Sequence, residues 1–133
     1  MEGKFVRVLL DTHTIIWALC DDPRLGEVAR NYIKKGNRET LAIADITLLE
    51  ISMLVAKGRI EFSFGVEKTL ETIAKKTTTL PITPKIATEA MALEIPQADP
   101  FDRIIVATAI QHLIPLLTRD RAIAESGQVE VIW

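Results

Sequence analysis

The strongest constraint on this chain is an alternation that runs its whole length: short runs of Val, Ile and Leu are separated by segments whose apolar residues recur at helical spacing. Phe5 to Leu10 (FVRVLL) is apolar, β-branched and without a 3.6-residue period, as a strand buried on both faces reads. Leu41 to Ala44, Thr78 to Leu80, Leu116–Leu117 and Val129 to Ile132 read as further strands. Helices are expected over Thr12 to Leu19, Leu25 to Lys35, Leu48 to Lys57, Val66 to Lys75, Lys85 to Met91, Pro100 to about His112, and near Asp120 to Glu125. Breakers punctuate them: Asp21-Asp22-Pro23, Gly36-Asn37, Gly58, Pro81 and Pro84, and Pro115. Such an alternation implies an α/β domain with a mainly parallel sheet of four or five strands, right-handed crossovers and helices on both faces.

At 133 residues, 48% hydrophobic and 26% charged, the chain suits one domain over residues 1–133. Lys75-Lys76-Thr77-Thr78-Thr79 is too short to be a linker. The net charge of −2 argues against a generally basic nucleic-acid binder, so such a substrate would need local patches. A lone Cys20 allows no internal disulfide. No stretch of spanning length or signal-peptide form is read, so the expectation is a cytoplasmic protein with no membrane partner.

Against this frame four acids stand out. Asp11 and Asp120 fall at expected strand ends, and Glu50 and Asp102 fall near expected helix starts. In open α/β sheets ligands bind in the crevice outside the carboxyl ends of the strands, so acids emerging there meet despite their separation in sequence. Gathered carboxylates repel one another and call for a counter-ion. A divalent cation, Mg²⁺ or Mn²⁺, held by a few carboxylates and water, is the usual equipment for phosphoryl chemistry.

Each acid also has a plainer explanation. Thr47-Leu48-Leu49-Glu50 fits a capping box in which Glu50 bonds back to the Thr47 amide. Asp99-Pro100 reads as an N-cap followed by proline at the first helical position, with Asp102 favoured by the helix dipole. Asp11 and Asp120 would likewise cap the helices that follow, for about 1 kcal/mol each. Capping accounts for any one acid; it does not account for their shared mouth.

Four stretches, LLDTHTIIWAL, ITLLEISM, ADPFDRIIVATA and LLTRDRAI, stand in an order and spacing that resembles the PIN-domain family over nearly the whole chain, and within it the VapC-like toxin ribonucleases. The resemblance implies a Mg²⁺- or Mn²⁺-dependent endoribonuclease in which Asp11, Glu50 and Asp102 form the acidic triad and Asp120 a fourth acid. Asp99 falls in the same DPFDR segment and either reaches the metal or caps the helix. The resemblance further implies an RNA substrate, a cognate antitoxin and a homodimer. Its mechanism would be hydrolysis of a phosphodiester by water, leaving a 5′-phosphate and a 3′-hydroxyl.

Neighbouring residues extend the candidate site. Thr12 could bond a phosphate, a metal-bound water or the local backbone, and Thr118 could fix the Asp120 rotamer or serve a turn. Arg103, Arg119 and Arg121 could position phosphates or pair with nearby carboxylates. His13 and His112 read as structural, and two histidines without a cysteine cluster argue against zinc. Trp17 reads as core, or with Ile16 as part of a groove or dimer face. A phosphoacceptor receiver domain would need an acid pair near the first strand, a central-strand acceptor Asp and a late strand-end Lys, none of which is in place, and a haloacid-dehalogenase phosphatase fails because Asp11-Thr12-His13 lacks the second Asp of D-x-D. A non-catalytic PIN-like module that binds RNA or protein is the stronger rival, but such modules usually lose acids that this chain keeps.

Overall fold

The computed structural model describes residues 7–133, so Phe5 and Val6 of the expected first strand lie outside the described residues. The elements run β1 (Val8–Leu10), α1 (Thr12–Leu19), α2 (Glu27–Lys35), β2 (Leu41–Ala44), α3 (Asp45–Ala56) and α4 (Val66–Lys76). There follow β3 (Thr78–Leu80), α5 (Pro84–Ala92), α6 (Pro100–His112), β4 (Leu116–Leu117), α7 (Arg121–Ser126) and β5 (Val131–Ile132). All strand pairings are parallel, in the order β3-β2-β1-β4-β5. The expected α/β architecture, with a five-stranded parallel sheet, is what the chain adopts.

Strand alternation divides the core. Val8, Leu10, Leu41, Ile43 and Leu117 point to one face, where Ile15 and Ile16 of α1, Ala29 of α2, Ile51 of α3 and Ile73 of α4 cover them. Leu9, Ala42, Ala44 and Leu116 point to the other, against Ile105, Val106 and Ala109 of α6 and Ile123 of α7. Helix α5 packs on the far side of α6 through Ile86 and Ala90 against Ala107. Since Leu9 is fully buried between the sheet and α6, a Leu9→Ala change would cost about 2–5 kcal/mol. The same split explains the topology. Right-handed crossovers lay α1 to α4 on one face while the chain steps outward from β1 to β3; when it returns to β4 and β5 it steps the opposite way and must use the other face. The order therefore reverses between β1 and β4, and a crevice opens at their carboxyl ends.

Three boundaries differ from the sequence reading. Helix α3 starts at Asp45, almost a turn before Leu48, because β2 runs straight into it with Ala44 as an N-cap that offers no side-chain bond. Asp45 Oδ2 instead accepts from the Ile82 amide at 3.1 Å, a partner no local pattern reveals. Helix α2 starts at Glu27 rather than Leu25; Leu25 is buried in the core, and Gly26 passes so close beneath Trp133 that a Cβ there would lie 2.7 Å from its ring. Strand β5 begins at Val131, with Val129 and Glu130 left in the preceding loop. Among the described residues no helix is long and apolar enough to cross a membrane.

Candidate active site

The crevice at the β1/β4 switch point is a cleft of about 490 Å³ lined by Asp11, Glu50, Asp99, Asp102 and Asp120, together with His13, Trp17, Arg119 and Arg121. All five acids singled out from sequence thus reach one cavity: Asp11, Asp99, Asp102 and Asp120 from the starts of α1, α6 and α7, and Glu50 from the second turn of α3.

Three of them cap helices. Asp11 directly follows β1 and caps α1, with Oδ1 accepting from the Thr14 amide at 2.9 Å and the Thr14 hydroxyl at 2.7 Å. Its Oδ2 accepts from the Thr118 hydroxyl, and the one Thr14 hydroxyl proton is shared between Asp11 Oδ1 and the Leu117 carbonyl, 2.9 Å away, so the ends of β1 and β4 are laced together behind the carboxylate. Asp99 caps α6 through the Asp102 amide at 2.8 Å, as its place before Pro100 suggested. Asp120 caps α7 through the Ile123 amide at 3.0 Å. Capping and lining the cleft are therefore not alternatives: one carboxylate oxygen accepts the amide while the group still faces the cavity.

Glu50 corrects the capping-box reading. With α3 beginning at Asp45, Thr47 already lies inside the helix and its amide is not the partner of Glu50. Instead Glu50 Oε1 accepts a 2.5 Å bond from the Thr12 hydroxyl, and Thr12 Oγ1 lies 3.1 Å from Thr47 Oγ1. A hydroxyl has one proton to give. If Thr12 donates to the Glu50 carboxylate, Thr47 must donate to Thr12, a relay of two buried threonines behind one acid.

The charges register this crowding. Asp102 accepts no hydrogen bond among the described residues, and its carboxyl is pushed up to about 7, first by burial and then by Asp99, Glu50, Asp11 and Asp120. Glu50 is also raised, chiefly by burial, with Asp99 and Asp11 adding to the effect while the Thr12 bond and His13 oppose it. Each site acid is felt by another, which is the electrostatic sign of convergence. They ring the cleft rather than close on a point: among the described residues no three His, Cys, Asp or Glu side chains form a ready-made metal cage. An all-oxygen donor set that repels itself and leaves room for water fits a hard divalent cation, which keeps much of its hydration.

Several secondary readings change. Thr12 is buried and donates to Glu50 rather than to the local backbone. Thr118 holds Asp11, not the Asp120 carboxylate; its oxygen accepts from the Asp120 amide at 3.1 Å. Arg103 turns away from the cleft and donates to the carbonyls of Ala98, Ala90, Leu93 and Ile95 at 2.9–3.2 Å, clamping the α5–α6 connection. Arg119 does line the cleft, with its guanidinium 5.8 Å from the Trp17 ring centroid. Arg121 also lines it and has Glu125 at 3.8 Å. His112 is exposed at the end of α6, away from the cleft. Thr14 escaped notice in the sequence, and Thr47 reads there only as a capping-box amide, not as a hydroxyl partner of Thr12. Thr14 carried a signal, since it stands three residues after a capping Asp; Thr47 carried none, because its partner is 35 residues away. His13, read as structural, also lines the cleft, as does Trp17, for which the sequence offered the core or a groove.

Comparison with known proteins agrees with this arrangement. Residues 8–127 match the model of the PIN domain. Over 115 residues the chain is 37% identical to Ribonuclease VapC22 of Mycobacterium tuberculosis, covering 86% of this chain and 87% of that one. Its fold superposes on DNA-bound VapBC from Salmonella typhimurium with a TM-score of 0.74 at 17% identity, over 96% of this chain and 98% of that one. A toxin-antitoxin complex from Klebsiella pneumoniae gives 0.67 at 23% identity, over 95% and 96%. At these identities the solved structures speak for the fold, whereas the family match spans nearly the entire described chain: this protein belongs to the PIN-domain family.

Proposed function

We propose that this protein is a metal-dependent endoribonuclease and the toxin of a toxin–antitoxin module. The observation that carries the reading is the cleft in which Asp11, Glu50, Asp99, Asp102 and Asp120 meet at the β1/β4 switch point. Similarity to a protein named as a ribonuclease supports RNA as the substrate. Similarity in fold to toxin–antitoxin complexes supports an antitoxin partner.

Asp11, Glu50, Asp102 and Asp120 would hold Mg²⁺ or Mn²⁺, with Asp99 available to it from the α6 cap. When bound, such an ion supplies a water of lowered pKa and positive charge against the phosphate. The chain's own groups do the rest. Thr14 and Thr118 fix Asp11, and the Thr47–Thr12 relay fixes Glu50, so two carboxylates stand in set orientations before substrate arrives. Arg119, with no ion pair or hydrogen bond among the described residues, faces the cleft and is placed to meet a phosphate oxygen. Water adds to phosphorus as the P–O3′ bond breaks, the 3′-oxygen takes a proton, and the products are a 5′-phosphate and a 3′-hydroxyl. An antitoxin segment would silence the site by laying an Arg or Lys among the carboxylates. A cytoplasmic homodimer completes the reading.

The test is cleavage of single-stranded RNA with Mn²⁺, with end-group analysis of the products. Metal-dependent cleavage giving 5′-phosphates, lost in Asp11→Asn and Asp102→Asn, is expected. A parent protein that binds RNA without cutting it would leave the non-catalytic module as the correct reading.

A further inference from the structure

Five carboxylates outnumber the two arginines that line the acidic cleft, and the chain as a whole is acidic, so a firm grip on RNA calls for further cations beside it. A second cavity of about 320 Å³ shares His13 and Trp17 with the acidic cleft and runs on between α1 and the end of α3. Its walls are Ile16, Leu54 and Ile60, and its cations are Arg24 and Arg59, both exposed. The volume is within the range of small-ligand pockets (about 300–1,000 Å³).

Arg24 is held in place. Its Nη2 and Nε reach the Asp22 carboxylate at 2.8 and 3.0 Å, and its guanidinium carbon lies 4.8 Å from the Trp17 ring centroid. Arg24 in turn keeps the Asp22 carboxyl down at about 2, so the one acid in this cavity is already matched by a cation. Arg59 has no ion pair or hydrogen bond from its side chain among the described residues. A pocket of mixed lining, with aliphatic sides, an aromatic wall and arginines at its rim, is the chemistry that takes an unstacked base and the phosphate beside it.

We propose that this cavity is a nucleotide subsite of the same active site, receiving the base next to the scissile phosphate of single-stranded RNA, with Trp17 and His13 as the shared wall and Arg24 and Arg59 on the adjoining phosphate. The proposal rests on the endoribonuclease reading and adds the path of the strand: out of the carboxylate cleft, across Trp17, toward Arg59. It also requires an unpaired substrate at this step, because a base inside a duplex is not free to enter.

The single cysteine offers a readout that does not depend on cleavage. Cys20 is exposed and lines the same cavity, so RNA seated there should shield it. With the full chain carrying Asp102→Asn, saturating single-stranded RNA should slow iodoacetamide alkylation of Cys20 by about tenfold, and a blunt duplex should not. In the parent background Arg59→Ala, which removes an exposed side chain without a partner, should raise KM for cleavage about five- to tenfold and leave kcat within about twofold. If RNA binding is seen by anisotropy while Cys20 alkylates at its free rate, or if Arg59→Ala leaves KM unmoved, the subsite is wrong and the endoribonuclease reading stands. If the parent cuts no RNA, both fall together.

Discussion

The two walls of the cleft solve the same electrostatic problem differently. On the wall built from strand ends and loops, Asp11, Asp99 and Asp120 each accept a backbone amide at a helix N-terminus, where the dipole also favours negative charge. On the other wall, Glu50 sits well inside α3 and leans on one threonine, and the Asp102 carboxylate, in the first turn of α6, has no donor among the described residues. The raised carboxyls are the two on that second wall. Capping lets one group be both structural and available, whereas Glu50 has only the Thr12 hydroxyl, and Asp102 no side-chain donor among the described residues, to offset burial and the neighbouring carboxylates. The second wall is thus where a cation would relieve most repulsion.

The largest expected effect separates the walls by the sign of a stability change. Asp102→Asn and Asp11→Asn should both lower Mn²⁺-supported cleavage by about a thousandfold or more. Their metal-free melting temperatures should move apart: up for Asp102→Asn, which removes an unpartnered charge, and down for Asp11→Asn, which disturbs the acceptor of Thr14 and Thr118. Calorimetry giving shifts of the same sign would erase the distinction between the walls.

Arg103→Ala should cost about 3 kcal/mol in urea unfolding, because four carbonyls lose one charged donor set, and Arg103→Lys should recover only part of it. A variant unfolding like the parent would mean that α5 and α6 hold the Asp99–Asp102 segment without this clamp.

The pH dependence follows from Asp102. Its folded value lies above its ordinary 3.8, so the folded protein retains a proton that the unfolded chain has released. This contribution to stability is fully present below 3.8, falls as pH rises toward about 7, and is gone above it. After discounting for solvent screening the change is on the order of 2 kcal/mol, read as the difference between parent and Asp102→Asn in metal-free urea titrations. A difference that stays flat with pH would show that Asp102 is not burdened by its neighbours.

The smallest effect concerns the relay behind Glu50. Thr12→Val keeps the shape and removes the donor, so cleavage should drop about tenfold, with a stability loss of about 1 kcal/mol. Thr12→Ser should restore most of the rate. If the valine variant cuts RNA as fast as the parent, the hydroxyl does not orient Glu50.

The elements and the gathering of the acids were legible in the chain because both rest on local rules: apolar period, helix punctuation, and the tendency of parallel α/β sheets to open at their carboxyl ends. Asp11, Asp99 and Asp120 could be read as caps because their donors lie three residues away. What the acids lean on could not be read this way. Thr12 meets Glu50 across 38 residues, and Thr118 meets Asp11 across 107. Arg103, next to Asp102 in sequence, points the other way because its helix face packs against the α5–α6 turn. Local sequence fixes backbone conformation and the faces of each element. Which hydroxyl serves which carboxylate, and which arginine faces the cleft, depends on the packing of elements distant in the chain, and tertiary structure alone decided it.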